Sequence, residues 1–185
     1  MNDSRILIAG VGNIFLGDDA FGVEVARRLC GRQLPGGVRV ADFGIRGLDL
    51  AYAILYGEQE VTILVDAAPR GGTPGTVYLI EPDAEDDGSG SGEAGVLDPH
   101  GMDPMNALRV VKSMGGEPKP IFVVGCEPLT LGPEEGAMGL SAPVELAVSE
   151  AVDLIESLLE RVLSGGSALT SLPTIVQGGE NHGTA

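Results

Sequence analysis

The residues best equipped for chemistry are acids and one imidazole, scattered along the chain. Asp18 and Asp19 close the glycine-rich stretch Gly10-Val11-Gly12-Asn13-Ile14-Phe15-Leu16-Gly17. A Gly-x-Gly after a first strand lets backbone approach a pyrophosphate, which the next helix N-terminus then holds. Here the third glycine of that pattern is replaced by Phe15, and two carboxylates stand where phosphate would lie. Their charge opposes an anion at a helix N-terminus, so the stretch argues against nucleotide binding. The same carboxylates suit a cation. Asp18 is placed to cap the following helix, an interaction worth about 1 kcal/mol, which leaves Asp19 free to point into a cleft.

Asp66 follows the apolar run 61–65. A carboxylate leaving a buried strand is either bonded by turn N–H groups or turned toward a ligand, and position alone does not decide. His100 is one of two histidines, the other being His182. A lone histidine ahead of a helix is ordinarily a loop residue. Two carboxylates and an imidazole suit a borderline divalent ion such as Ni²⁺ or Zn²⁺, with coordination positions left open. Their wide spacing is no compact metal motif, so Asp19, Asp66 and His100 form a candidate site only. No nucleophile elbow, His-Glu-x-x-His or supported Cys–His pair occurs.

The elements that must position these residues alternate. Residues 5–9, 38–42, 61–65, 76–80 and 121–124 read as strands. The stripe Phe21, Val25 and Leu29 marks a helix stopped by Gly31, and 48–56 marks a second. Asp103 and Pro104 open a third, carried by Met105, Leu108 and Val111. Ser141 and Pro143 start a long fourth, with Val144, Val148, Val152, Ile155, Leu159 and Val162 on one side. The pattern predicts a three-layer α/β/α sandwich on a mostly parallel or mixed five-stranded sheet. Ligands in such folds bind outside the carboxyl ends of the strands, which points to 10–19, 42–47, 66–70, His100 and 125–128.

At 185 residues the chain fits one domain, expected over 1–165 with a disordered tail at 166–185. The polar, glycine-rich segment 83–96 cannot bury enough apolar surface to offset its ordering entropy and reads as a mobile surface loop. With 27 acids against 11 bases the formal net charge is −16. That field repels nucleic acid and anionic membranes, and suits a cation or a partner with a basic patch. No membrane span or signal peptide is visible, so a cytoplasmic protein is expected. Cys30 and Cys126, each in an apolar element, read as core thiols.

Residues 10–23, Gly-Val-Gly-Asn-Ile-Phe-Leu-Gly-Asp-Asp-Ala-Phe-Gly-Val, closely resemble the opening signature of the nickel–iron hydrogenase maturation peptidases. The resemblance continues, in order, through Asp42-Phe43-Gly44-Ile45-Arg46-Gly47, Val65-Asp66-Ala67, Asp98-Pro99-His100, Gly125-Cys126-Glu127-Pro128 and Gly139-Leu140-Ser141-Ala142-Pro143-Val144. It covers roughly residues 5–163, and the first motif is the specific one. It implies an aspartic-type endopeptidase that removes a C-terminal extension from the hydrogenase large-subunit precursor after nickel insertion. By this resemblance the metal is nickel carried by the precursor, no organic cofactor is involved, and Asp19, Asp66 and His100 contact the ion. Asp19 stands where relatives commonly carry Glu, one methylene longer. The Asp42–Gly44–Gly47 loop is implied to lie beside the cleaved bond and position the substrate tail. A non-catalytic chaperone that recognises the nickel state of the precursor keeps the same ligands and is the alternative.

Overall fold

The computed structural model describes residues 5–81, 110–116, 119–132 and 135–164. The elements are β1 (Ile6–Val11), a 3-10 turn (Gly17–Ala20), α1 (Phe21–Cys30), β2 (Val38–Gly44), α2 (Gly47–Tyr56), β3 (Val61–Ala67), β4 (Val77–Ile80), β5 (Ile121–Cys126) and α3 (Ala142–Leu163). Residues 110–113 are also helical. The segment 83–96, the start of the helix expected at Asp103 and the tail 166–185 lie outside the described residues.

The five strands form one mixed sheet in the order β2-β1-β3-β5-β4, parallel except for β4 against β5. The exception follows from chain length. Residues 68–76 join β3 to β4, too short a stretch for the crossover of a dozen or more residues that a parallel return needs. The chain therefore turns back at the carboxyl edge.

Both faces of the sheet are covered, which explains why β1 and β5 are buried along their whole length. Strand alternation sends Ile6, Ile8, Ile63, Val65, Phe122 and Val124 to one face, where Phe21, Val25 and Leu29 of α1 meet Val148, Val152, Ile155 and Leu159 of α3. Leu7, Ala9, Val11, Leu64, Ile121 and Val123 face Leu50, Ala51 and Ile54 of α2 together with Val111. Each such Val, Leu, Ile or Phe side chain contributes about 1.5–3 kcal/mol of burial free energy. At Gly22 the N-terminus of α1 lies so close to the strand ends that an added Cβ would sit 2.0 Å from the Val65 carbonyl oxygen.

Two expectations need correction. Cys30 is exposed, whereas Cys126 is buried. Cys30 follows Leu29 by one residue, about 100° around the helix, and so leaves the buried stripe. Asp18 does not cap α1: a 3-10 turn intervenes, Ala20 holds the N-cap position, and no side chain bonds there. Strands β2, β3 and β5 also run past their apolar stretches, to Gly44, Ala67 and Cys126. Backbone pairing continues wherever the neighbouring strand does, whatever the side chain, as Asp66 opposite Gly125 illustrates.

Candidate active site

The glycine stretch leaves β1 at the carboxyl edge and folds back on itself. Gly12 takes φ 129°, and a Cβ there would lie 1.8 Å from the Asp19 carbonyl oxygen. Its glycine thus serves the close approach of two backbones, with no need of a phosphate to explain it. The Asn13 N–H donates to Asp19 Oδ2 at 2.7 Å, and Asn13 Oδ1 accepts the Phe15 N–H at 3.0 Å. Asp19 is half-buried, and burial pushes its carboxyl above the ordinary value while the Asn13 N–H opposes the shift.

Its neighbour behaves differently. Asp18 is 0% exposed and saturated with donors. Oδ2 accepts from Leu129 N–H at 2.8 Å, Thr130 N–H at 3.1 Å and the Ser141 hydroxyl at 2.8 Å; Oδ1 accepts from Ser141 N–H at 2.6 Å. Ser141 holds the N-cap position of α3, yet its hydroxyl goes to Asp18 rather than to the helix. One acid therefore ties the glycine loop to the loop after β5.

Asp66 is 5% exposed near the end of β3, and its Oδ1 accepts the Ala67 N–H at 2.8 Å. Gly10 pairs with Val65, so Asp66 stands one strand over from the glycine loop. Strand β3 also contacts the Gly17–Ala20 turn that carries Asp19. The fold thus gathers Asp19 and Asp66 at one edge, across 47 residues of sequence. His100 lies outside the described residues. Among the described residues no three His, Cys, Asp or Glu side chains converge as a metal cage.

The 42–47 loop adjoins the same edge. Asp42, exposed, pairs with Gly10, and after a bulge Gly44 pairs with Val11 at φ 54°. The Gly44 carbonyl accepts the Gly12 N–H at 3.1 Å. The Arg46 guanidinium donates to the carbonyls of Phe43 and Asp42, stiffening the turn, and buried Gly47 begins α2.

One buried acid carried no role in the sequence reading. Glu127, just past β5, accepts N–H bonds from Arg70 and Gly71 and the Tyr78 hydroxyl at 2.9 Å. Burial alone would raise its carboxyl, but the Arg70 N–H, the Tyr78 hydroxyl and the N–H groups of Gly72 and Gly71 together hold it below the ordinary value. Tyr78 is pushed up by burial and by its bond to Glu127. The signal was present in the sequence as an acid ending an apolar strand. Its partners, 49–57 residues away, were not.

Chemically the edge carries two carboxylates, Asp19 and Asp66. Cys126 is buried, and that burial, then the acids Asp18, Glu127 and Glu150, push its thiol up to about 12, which disfavours the nucleophilic thiolate.

The family described as hydrogenase maturation protease, HycI, matches residues 23–158. The hydrogenase expression/formation protein HupD of Rhizobium leguminosarum bv. viciae is 31% identical over 170 residues, covering 91% of this chain and 79% of that one. The hydrogenase 2 maturation protease of Escherichia coli is 31% identical over 162 residues, covering 86% and 89%. The solved structure of the hydrogenase maturating endopeptidase HybD from E. coli superposes with a TM-score of 0.67 at 28% identity, covering 85% of this chain and 93% of that one.

Proposed function

The chain belongs to the hydrogenase maturation protease family and is a peptide hydrolase, and from that premise we propose that it removes the C-terminal extension of a nickel–iron hydrogenase large-subunit precursor once nickel is in place. The observation that carries this reading is the convergence of half-buried Asp19 and buried Asp66 at the carboxyl edge of the sheet.

Nickel enters this reaction as part of the substrate, held by the precursor's own thiolates, and serves as the element by which a nickel-loaded precursor is recognised. Asp19, Asp66 and His100 complete its coordination and thereby orient the scissile peptide. Asn13 occupies Asp19 Oδ2, so Oδ1 is the atom offered to the ion. Burial disfavours the ionised form of Asp19, and an arriving cation favours it, so metal contact relieves a cost already built into the fold. The loop carrying Asp42, Gly44 and Gly47 guides the substrate tail, a role supported by its backbone bond to Gly12.

The test is mass spectrometry of a nickel-loaded precursor incubated with the chain. A defined C-terminal fragment that appears only with nickel supports the reading. Asp66→Asn is expected to lower the rate by at least about a hundredfold while the protein stays folded. Binding without cleavage by the unaltered chain, or normal processing by Asp66→Asn, overturns it.

A further inference from the structure

We propose that Ile14, Phe15, Leu129, Leu131 and Met138 form one preformed apolar rim that docks an apolar segment of the precursor flanking the cleaved bond; this rests on the peptidase reading above. All five are exposed, from 42% at Leu131 to 75% at Met138, although side chains of this kind are ordinarily withdrawn from water. They come from two loops distant in sequence that the fold locks together. The Ala137 N–H donates to the Phe15 carbonyl at 2.8 Å, the Gly17 N–H to Ala137 at 2.7 Å, and the Asp18 N–H to Thr130 at 3.1 Å. The Asp18 carboxylate fastens the base of the same pair through Leu129, Thr130 and Ser141.

Clustered exposed apolar side chains on a folded surface mark an interaction site. Aromatic residues and Met are the types enriched at such interfaces. A rim already held by backbone bonds has little ordering entropy left to lose on binding.

Continuity with the site identifies the occupant. Ile14 and Phe15 lie between Asn13, which binds the Asp19 carboxylate, and Asp19 itself. The rim therefore borders the loop that carries Asp19, beside a protein whose scissile bond is held there. The net charge of −16 favours a precursor whose surface around that apolar segment is basic.

Phe15→Ser and Met138→Ser remove the most exposed member of each loop, and neither side chain is buried. Each is expected to raise KM for nickel-loaded precursor by about tenfold, as loss of a central interface residue does, with kcat retained. Tyr56→Ser, an exposed aromatic at the far end of α2, serves as control and leaves KM unchanged. Unchanged KM in both rim variants, with the unaltered chain still cutting, overturns the docking surface and leaves the peptidase reading standing. No cutting by the unaltered chain removes both. A dimer in light scattering that the rim variants dissociate, with KM unmoved, assigns the rim to a second copy and overturns the proposal.

Discussion

Adjacent acids at positions 18 and 19 have opposite surroundings, and the difference is one of solvation. Asp18 is fully buried with four donors on its two oxygens, so its charge is compensated within the fold. Asp19 is half-buried with one donor, and its raised carboxyl records a charge that the fold compensates poorly. Substitution by Asn is expected to separate them. Asp18→Asn turns an amide N–H toward backbone N–H groups and costs about 2–3 kcal/mol in urea unfolding. Asp19→Asn keeps an oxygen for the Asn13 N–H, so stability holds within about 1 kcal/mol, while precursor processing falls by about a hundredfold or more. Loss of stability in Asp19→Asn comparable to that in Asp18→Asn would make Asp19 structural too. The sign for Asp19 is that of a raised acid: it costs stability above its folded pKa, and that cost is relieved as pH falls through it.

Among the elements, β5 and the turn after β3 depend on each other through Glu127. Its carboxylate gathers the N–H groups of Arg70 and Gly71, and Tyr78 of β4 adds its hydroxyl. The Arg70 guanidinium lies 5.7 Å from the Tyr78 ring centre, covering the cluster. That network holds the exit of the strand that carries Asp66. A depressed carboxyl contributes stability that is fully present above its unfolded value near 4.5 and is lost as pH falls through the lower folded value. Glu127→Gln is therefore expected to lower stability at pH 7 by about 2–3 kcal/mol, an amide N–H now facing backbone donors. It should also flatten the acid limb of stability against pH below about 4.5. Chemical denaturation at stepped pH values reads both, and an unchanged acid limb would remove Glu127 from the account.

For the molecule as a whole, the formal charge is −16. No helix among the described residues is long and apolar enough to cross a membrane. A field of this sign accelerates approach of a partner that presents positive charge, and added salt screens it. The association rate with nickel-loaded precursor is expected to drop by about tenfold between low and physiological ionic strength, with the dissociation rate moving much less. Stopped-flow mixing measures it, and a salt-independent rate would show that the acidic surface plays no part in encounter.

Local pattern was enough for the layers and the edge. Apolar period and glycine punctuation revealed each strand now seen and the helices α1, α2 and α3, because burial on one or two faces writes itself into neighbouring residues. Strand–helix alternation then pointed to the carboxyl edge where Asp19 and Asp66 lie. The partners of Asp18 and Glu127 were decided only in three dimensions. Asp18 bonds residues 111–123 positions away, brought there by the order of strands in the sheet. A sequence shows which residue is an acid. Whether that acid is satisfied by the fold or left open for a cation depends on donors from segments that only the folded chain makes neighbours.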